Sequence, residues 1–218
     1  MSKLLLPALG IGGLSAVGFG GYSLLKGRDN LSQKEETFKS IYAKALLEKG
    51  NSLWDSKFNS LKTGEEPAHP ILKNAKTKAT ASTGSNEQEA KELHQQGCQE
   101  IYDSNLKNTS YFNDFKTYCA KNLKDEMGSS KKWISEGESD TGKWNNKLKS
   151  LSTHDEAKNQ ILDSYLASLK GTLTGQDSSW GDEKRKSLKD WCDDSQKEIF
   201  TGKEDSRFVQ ADLYCIDK

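Results

Sequence analysis

The sequence predicts an all-α protein: an N-terminal transmembrane or signal helix, then a helical bundle built from two similar disulfide-stapled repeats. Three observations predict it. An uncharged run fills Leu4 to Leu25. The polar chain after it has only Pro67 and Pro70 as prolines and no stretch of alternating β-branched residues, so strands are not expected. Tryptophan, cysteine and tyrosine landmarks recur in the same order in its two halves.

The head comes first. Its 22 residues from Leu4 to Leu25 lie between Lys3 and the pair Lys26 and Arg28, and Tyr22 carries their only ionisable side chain. As a helix the run is about 33 Å long, enough to cross a hydrocarbon core. Ala8, Gly12, Ala16 and Gly20 recur at every fourth position. They make one face small, as in membrane helices that pack closely and self-associate. Two other readings of the run stay open. Ala16-Val17-Gly18 has the small residues that a signal peptidase needs, and a buried soluble helix is the third reading. The expectation is a single-pass protein whose residues 4–25 meet the lipid bilayer and whose C-terminal part is extracellular, or one secreted after cleavage.

Composition bounds the rest. The chain is 33% hydrophobic and 29% charged, with a mean hydropathy of −0.84. That lies near the border between small-core helical domains and disorder. Five Trp, seven Tyr and seven Phe argue for a folded chain. Basic and acidic residues balance at 32 each, so there is no overall basic field and nucleic acid is not an expected partner.

The elements follow in order. Ser32 and Glu35 have capping-box spacing. After them Phe38, Ile41, Tyr42, Ala45, Leu46, Trp54, Phe58 and Leu61 fit one or two helices, with Gly50 as a break. Residues 63–85 read as a flexible linker of Pro, Lys, Ala, Thr and Ser. Ser85 and Gln88 would cap a helix carrying Leu93, Cys98 and Ile101, and a second helix carries Phe112, Phe115, Cys119 and Leu123. Trp144, Leu148 and Leu151 form an amphipathic stretch. Thr153 and Glu156 repeat the capping spacing before Ile161, Tyr165 and Leu169, and Trp180, Leu188, Trp191 and Cys192 follow. The organisation read from this is a head at 1–28, a first repeat at 32–120, a connector at 121–139 and a second repeat at 140–218.

The repeat rests on matched landmarks. Trp54 to Leu61 and Trp144 to Leu151 share the pattern Trp, two residues, Lys, an apolar residue, one residue, Ser-Leu. Downstream, Cys98 matches Cys192, Ile101-Tyr102 matches Ile199-Phe200, and Tyr118-Cys119 matches Tyr214-Cys215. Cysteine separations are 21 and 23. Of the three pairings open to four cysteines, only Cys98–Cys119 with Cys192–Cys215 repeats with the landmarks. Two such disulfides place the domain outside the cytoplasm. Four buried thiols, or a zinc site, are the competing readings; no CxxC occurs and the histidines lack ligand spacing.

No catalytic motif appears, so no catalytic residue, metal or cofactor is expected. The chain has neither a phosphate loop nor a nucleophile elbow. His69, His94 and His154 read as solvated surface residues. Asp193-Asp194 and Glu65-Glu66 read as solvated faces, and the tryptophans as core. The start Met1-Ser2-Lys3-Leu4-Leu5-Leu6-Pro7-Ala8-Leu9-Gly10, the stretch Tyr22-Ser23-Leu24-Leu25-Lys26, and the Trp191-Cys192 and Tyr214-Cys215 landmarks resemble the uncharacterised paralogous proteins of haemotropic mycoplasmas. The resemblance implies a surface-displayed member of a large variable set, concerned with antigenic variation or contact with host surface or immune components. An adhesin or ligand-binding module is the alternative, and a hydrolase the remote one.

Overall fold

The computed structural model describes residues 35–83 and 86–217. The membrane or signal segment at 4–25, with its small face of Ala8, Gly12, Ala16 and Gly20, lies outside them. Among the described residues no helix is long and apolar enough to cross a membrane.

The chain is mostly helical, as expected. The short α1 (Phe38–Ile41) is opened by a capping box of Thr37 and Ser40. Gly50, at a φ of 81°, turns the chain into α2 (Leu53–Thr63), which buries Trp54, Lys57, Phe58 and Leu61. This is the i, i+3, i+4, i+7 spacing of a core-facing helix.

The expected flexible linker at 63–85 is not one. It contains the 11-residue helix α3 (Pro70–Thr80), with Pro70 in the first turn and Leu72 and Ala75 buried. Proline there loses no hydrogen bond and pre-sets φ. Helix α3 packs on α4 (Glu87–Asp103), and Gly97 allows the close approach. A Cβ at that position would lie 2.8 Å from Leu72 Cδ2. The N-cap of α4 is Asn86, which accepts from Glu89 N at 3.1 Å. It takes the place foreseen for Ser85.

The short α5 (Phe112–Asp114) runs into a π-helical turn, Phe115–Cys119. Tyr118 and Cys119 end this turn, so their carbonyls have no partner in the helical ladder. His94 Nε2 donates to Tyr118 O at 2.9 Å, and Tyr102 Oη donates to Cys119 O at 2.5 Å. Helix α6 (Leu123–Met127) starts from a capping box of Asn122 and Asp125. It is separate from the cysteine turn, because Ala120 is extended and pairs with Leu46.

Two strands of two residues follow. They are too short to leave an alternating pattern in the sequence. Strand β1 (Lys132–Trp133) pairs antiparallel with β2 (Ile216–Asp217), Trp133 facing Ile216. Between them lie α7 (Thr141–Ser152), α8 (Ser164–Thr172), α9 (Asp182–Lys197) and α10 (Ser206–Tyr214). Helix α8 starts later than the Thr153–Glu156 spacing predicts. Asp163 caps it, Thr153 ends α7, and Ile161 is exposed.

Two hydrophobic cores result. The first gathers Phe38, Trp54, Phe58, Leu72, Cys98, Ile101 and Phe115. The second gathers Trp144, Leu148, Leu166, Leu188, Trp191 and Tyr214. The segment 121–139 is more than a connector, since Leu123, Met127, Trp133 and Ile134 all enter the second core. Ile199 does the reverse and enters the first. It lies beyond the end of α9, whereas Ile101 lies inside α4, so the expected match of these two residues does not hold.

Candidate functional site: paired grooves beside the cysteine helices

All four predicted cysteines are joined as foreseen. Cys98 is bonded to Cys119 and Cys192 to Cys215, with Cα atoms 5.3 and 5.5 Å apart. Each bond ties the long helix of one core to the segment that ends it, α4 to the π turn and α9 to α10. Around each bond a similar set of interactions is found.

The residue after the second cysteine, Ala120 or Ile216, pairs antiparallel with an extended residue ahead of the Trp helix, Leu46 or Trp133. The Trp that opens the buried face of that helix turns its indole back. Trp54 Nε1 donates to Glu48 O at 2.9 Å, and Trp144 Nε1 to Glu136 O at 3.1 Å. The tyrosine before the second cysteine reaches past the far end of the same helix. Tyr118 Oη donates to Glu65 O at 2.8 Å, and Tyr214 Oη bonds His154 Nδ1 at 2.5 Å.

A groove lies at the same place in both halves. It runs between the extended segment and the outer face of the cysteine helix, formed by positions three before, one after and four after the first cysteine. In the first half these are Gln95, Gln99 and Tyr102, facing Leu46 and Leu47 across about 560 Å³. In the second they are Lys189, Asp193 and Gln196, facing Trp133 and Ile134 across about 550 Å³.

Shared geometry carries different chemistry. The first groove sets the amides of Gln95, Gln96 and Gln99 beside Lys39, Glu48 and Lys49 and the edge of Trp54, whose ring meets the His94 ring edge-on at 5.4 Å. Tyr102 ties its floor together, accepting from Leu47 N at 3.3 Å, and burial raises its pKa well above the phenolic range. Lys124, Lys131, Lys132 and Lys189 line the second groove, with Asp193 as the only lining carboxylate among the described residues. Lys189 is paired with Asp193 at 2.5 Å and Lys131 with Asp212 at 2.7 Å. Lys124 and Lys132 are exposed. Nothing in the sequence marked these positions as a site. The available signal was their constant offset from the cysteines.

The histidines correct the sequence reading. All three are buried, not solvated: His69 is 5%, His94 1% and His154 6% exposed. Their partners come from distant segments, which local polarity does not reveal. Burial pushes the His94 pKa down to about 4, against a smaller upward pull from its bond to Tyr118 O. The ring is therefore neutral at pH 7 and carries its proton on Nε2. His154 Nε2 donates to Gln160 O at 2.9 Å. His69 stands 3.6 Å from Glu100, its Nδ1 is buried without a partner, and burial lowers its pKa against the pull of Glu100 and Asp114.

His94, Cys98 and Cys119 place one ligand atom each within 4.8 Å of the others. Both sulfurs are engaged in the disulfide, so neither is a thiolate able to bind zinc. The tryptophans lie in the cores as expected. Glu65, Glu66 and Asp194 are exposed as expected, while Asp193 is half-buried in the second groove. Comparison with family models, curated proteins and solved structures finds no match to this chain.

Proposed function

We propose that the chain is a membrane-anchored, surface-exposed interaction protein. It would be built from two copies of one disulfide-stapled helical unit, and act by binding or display, not by catalysis. The observation that carries this reading is the pair of equivalent disulfides, each closing one core. Structural disulfides persist where the surroundings are oxidising. The uncharged run at 4–25 supplies the means of export and attachment, and the resemblance of the head and the cysteine landmarks to paralogous surface proteins agrees with it.

Display accounts for the way the polar residues are used. His94 and His154 are held by carbonyl and hydroxyl partners and face neither groove, so they serve packing. The paired grooves favour binding over passive display, because one position in the fold is kept open twice while its lining changes. The reading is tested by protease treatment of intact cells that carry the full chain. Digestion of the part after residue 28 without lysis is the expected result. A fully protected domain, digested only after lysis, contradicts the surface location.

A further inference from the structure

We infer that the second groove binds an oxyanion ester, a sulfate or phosphate group carried on a saccharide-sized ligand. The inference deepens the proposed binding role and rests on it for biological meaning, but the site stands on its own geometry. The chain has no net charge, yet four lysines converge on this one groove of about 550 Å³. They come from three separate segments: Lys124 from α6, Lys131 and Lys132 from the β1 region, and Lys189 from α9.

Two of the four are already paired, and Asp193 and Asp212 neutralise those two. Lys124 and Lys132 remain, both exposed and in no ion pair among the described residues. The fold therefore leaves two ammonium groups for a ligand and holds the other two in place with carboxylates. A tetrahedral oxyanion offers several acceptor oxygens, which suits ammonium groups arriving from different directions. A partly enclosed groove strengthens such pairs, because its low-dielectric walls reduce screening by water.

A second, independent observation points the same way. Trp133 lines this groove, is 8% exposed, and has a buried indole N–H with no acceptor. An unpaired buried donor is rare and costly. Trp54, Trp144 and Trp180 have theirs satisfied by Glu48 O, Glu136 O and Thr174 O, while Trp191 shares the lack of an acceptor. Of the two, Trp133 is the one that lines the groove, so a side chain with an unused donor forms part of the groove wall, and an oxyanion that reached it would supply the acceptor. The equivalent groove of the first half has Gln95 and Gln99 where this one has Lys189 and Asp193. Its two lining lysines, Lys39 and Lys49, stand beside Glu48, and Lys39 is paired with Asp103, so it is not expected to take the same ligand.

The test is a titration of the full chain in zwitterionic detergent with three probes: a sulfated disaccharide, a sugar phosphate and inorganic sulfate. Affinity is followed by calorimetry, and the indole N–H resonance of Trp133 by NMR, assigned with Trp133→Phe. Binding of either ester is expected, with a shift of the Trp133 resonance larger than that of Trp54. Which ester binds more tightly identifies the source of the oxyanion. The double variant Lys124→Ala, Lys132→Ala should weaken binding at least about tenfold. The equally charged control Lys73→Ala, Lys107→Ala, on exposed lysines away from the groove, should change it less than about twofold. Equal loss in both variants, no Trp133 shift, or binding of inorganic sulfate alone overturns the inference. Cell-surface proteolysis is a separate experiment. A protected domain with an intact oxyanion site would refute the surface reading and leave the site standing.

Discussion

Asn122 and Ile199 form an antiparallel bridge that joins the two cores. Around it Leu123 N donates to Glu198 O and Phe200 N to Lys121 O, each at 3.0 Å. The side chain of Ile199 then enters the first core although the residue follows the cysteine helix of the second. Ile199→Ala should cost about 2 kcal/mol, the usual range for a truncated core aliphatic. Because the bridge couples both halves, urea unfolding should remain a single transition. A Trp54→Phe variant, which removes the tryptophan of the first core and leaves the four of the second, should show the same midpoint by fluorescence as by circular dichroism. Two separated midpoints would mean that the halves unfold independently.

Lys57 makes a second link of this kind. Its Nζ lies 2.7 Å from Asp125 Oδ2, with the two side chains 6% and 17% exposed. Asp125 also accepts from Asn122 N at 2.9 Å, so the lysine of α2 holds the cap of α6. Removing one member of a buried pair leaves an uncompensated charge. Lys57→Met should lower stability by about 3 kcal/mol, and adding Asp125→Asn should recover part of the loss. A double-mutant cycle by urea denaturation measures the coupling, and additive losses would show that the pair contributes nothing specific.

His94 gives a pH signature. Its folded pKa, about 4, lies below the ordinary value of 6.5. Between those values the unfolded chain binds a proton that the folded chain does not, so this term favours folding fully above pH 6.5 and is lost as pH falls toward 4. The loss amounts to about 3 kcal/mol. His69, also shifted down by burial, adds in the same direction. At the equivalent position of α9, four residues before the cysteine, stands the fully buried Leu188. His94→Leu should therefore still fold, and its stability should fall less steeply with acid. An unchanged slope in chemical denaturation across this range would contradict the assignment.

The helical class and the cysteine pairing were legible because each leaves a local or periodic mark: the Trp54 and Trp144 faces, and the separations of 21 and 23. Helix α3 was hidden by its composition. Lysines and threonines fill its exposed face, and two prolines stand at its start, so it reads as a low-complexity loop. The histidines mislead for a different reason. A polar neighbour such as Gln95 says nothing of the Tyr118 carbonyl that holds His94 from 24 residues away. Ile199 matches Ile101 in type and order, yet it serves the opposite core, which depends on tertiary structure alone. The grooves left no motif, since they consist of one helix face set beside one short extended segment.

Each disulfide should contribute separately. Bonds closing 21 and 23 residues restrict the unfolded chain by about 3 kcal/mol each in the chain-entropy account. The variants Cys98→Ala, Cys119→Ala and Cys192→Ala, Cys215→Ala should each lose about that much in urea unfolding. A chain lacking both should be unfolded or nearly so at 37 °C, as is usual for stapled domains poor in apolar residues. Near-wild-type stability of the four-cysteine variant would show that the cores suffice alone.

The central claim, a disulfide-stapled domain held outside the cytoplasm, is tested most directly on protein taken from its native cells. Free thiols are alkylated during lysis, and non-reduced peptides are mapped by mass spectrometry. The account predicts two linked peptide pairs, Cys98 with Cys119 and Cys192 with Cys215, and no alkylated cysteine. Alkylation at all four positions would contradict both the stapling and the compartment.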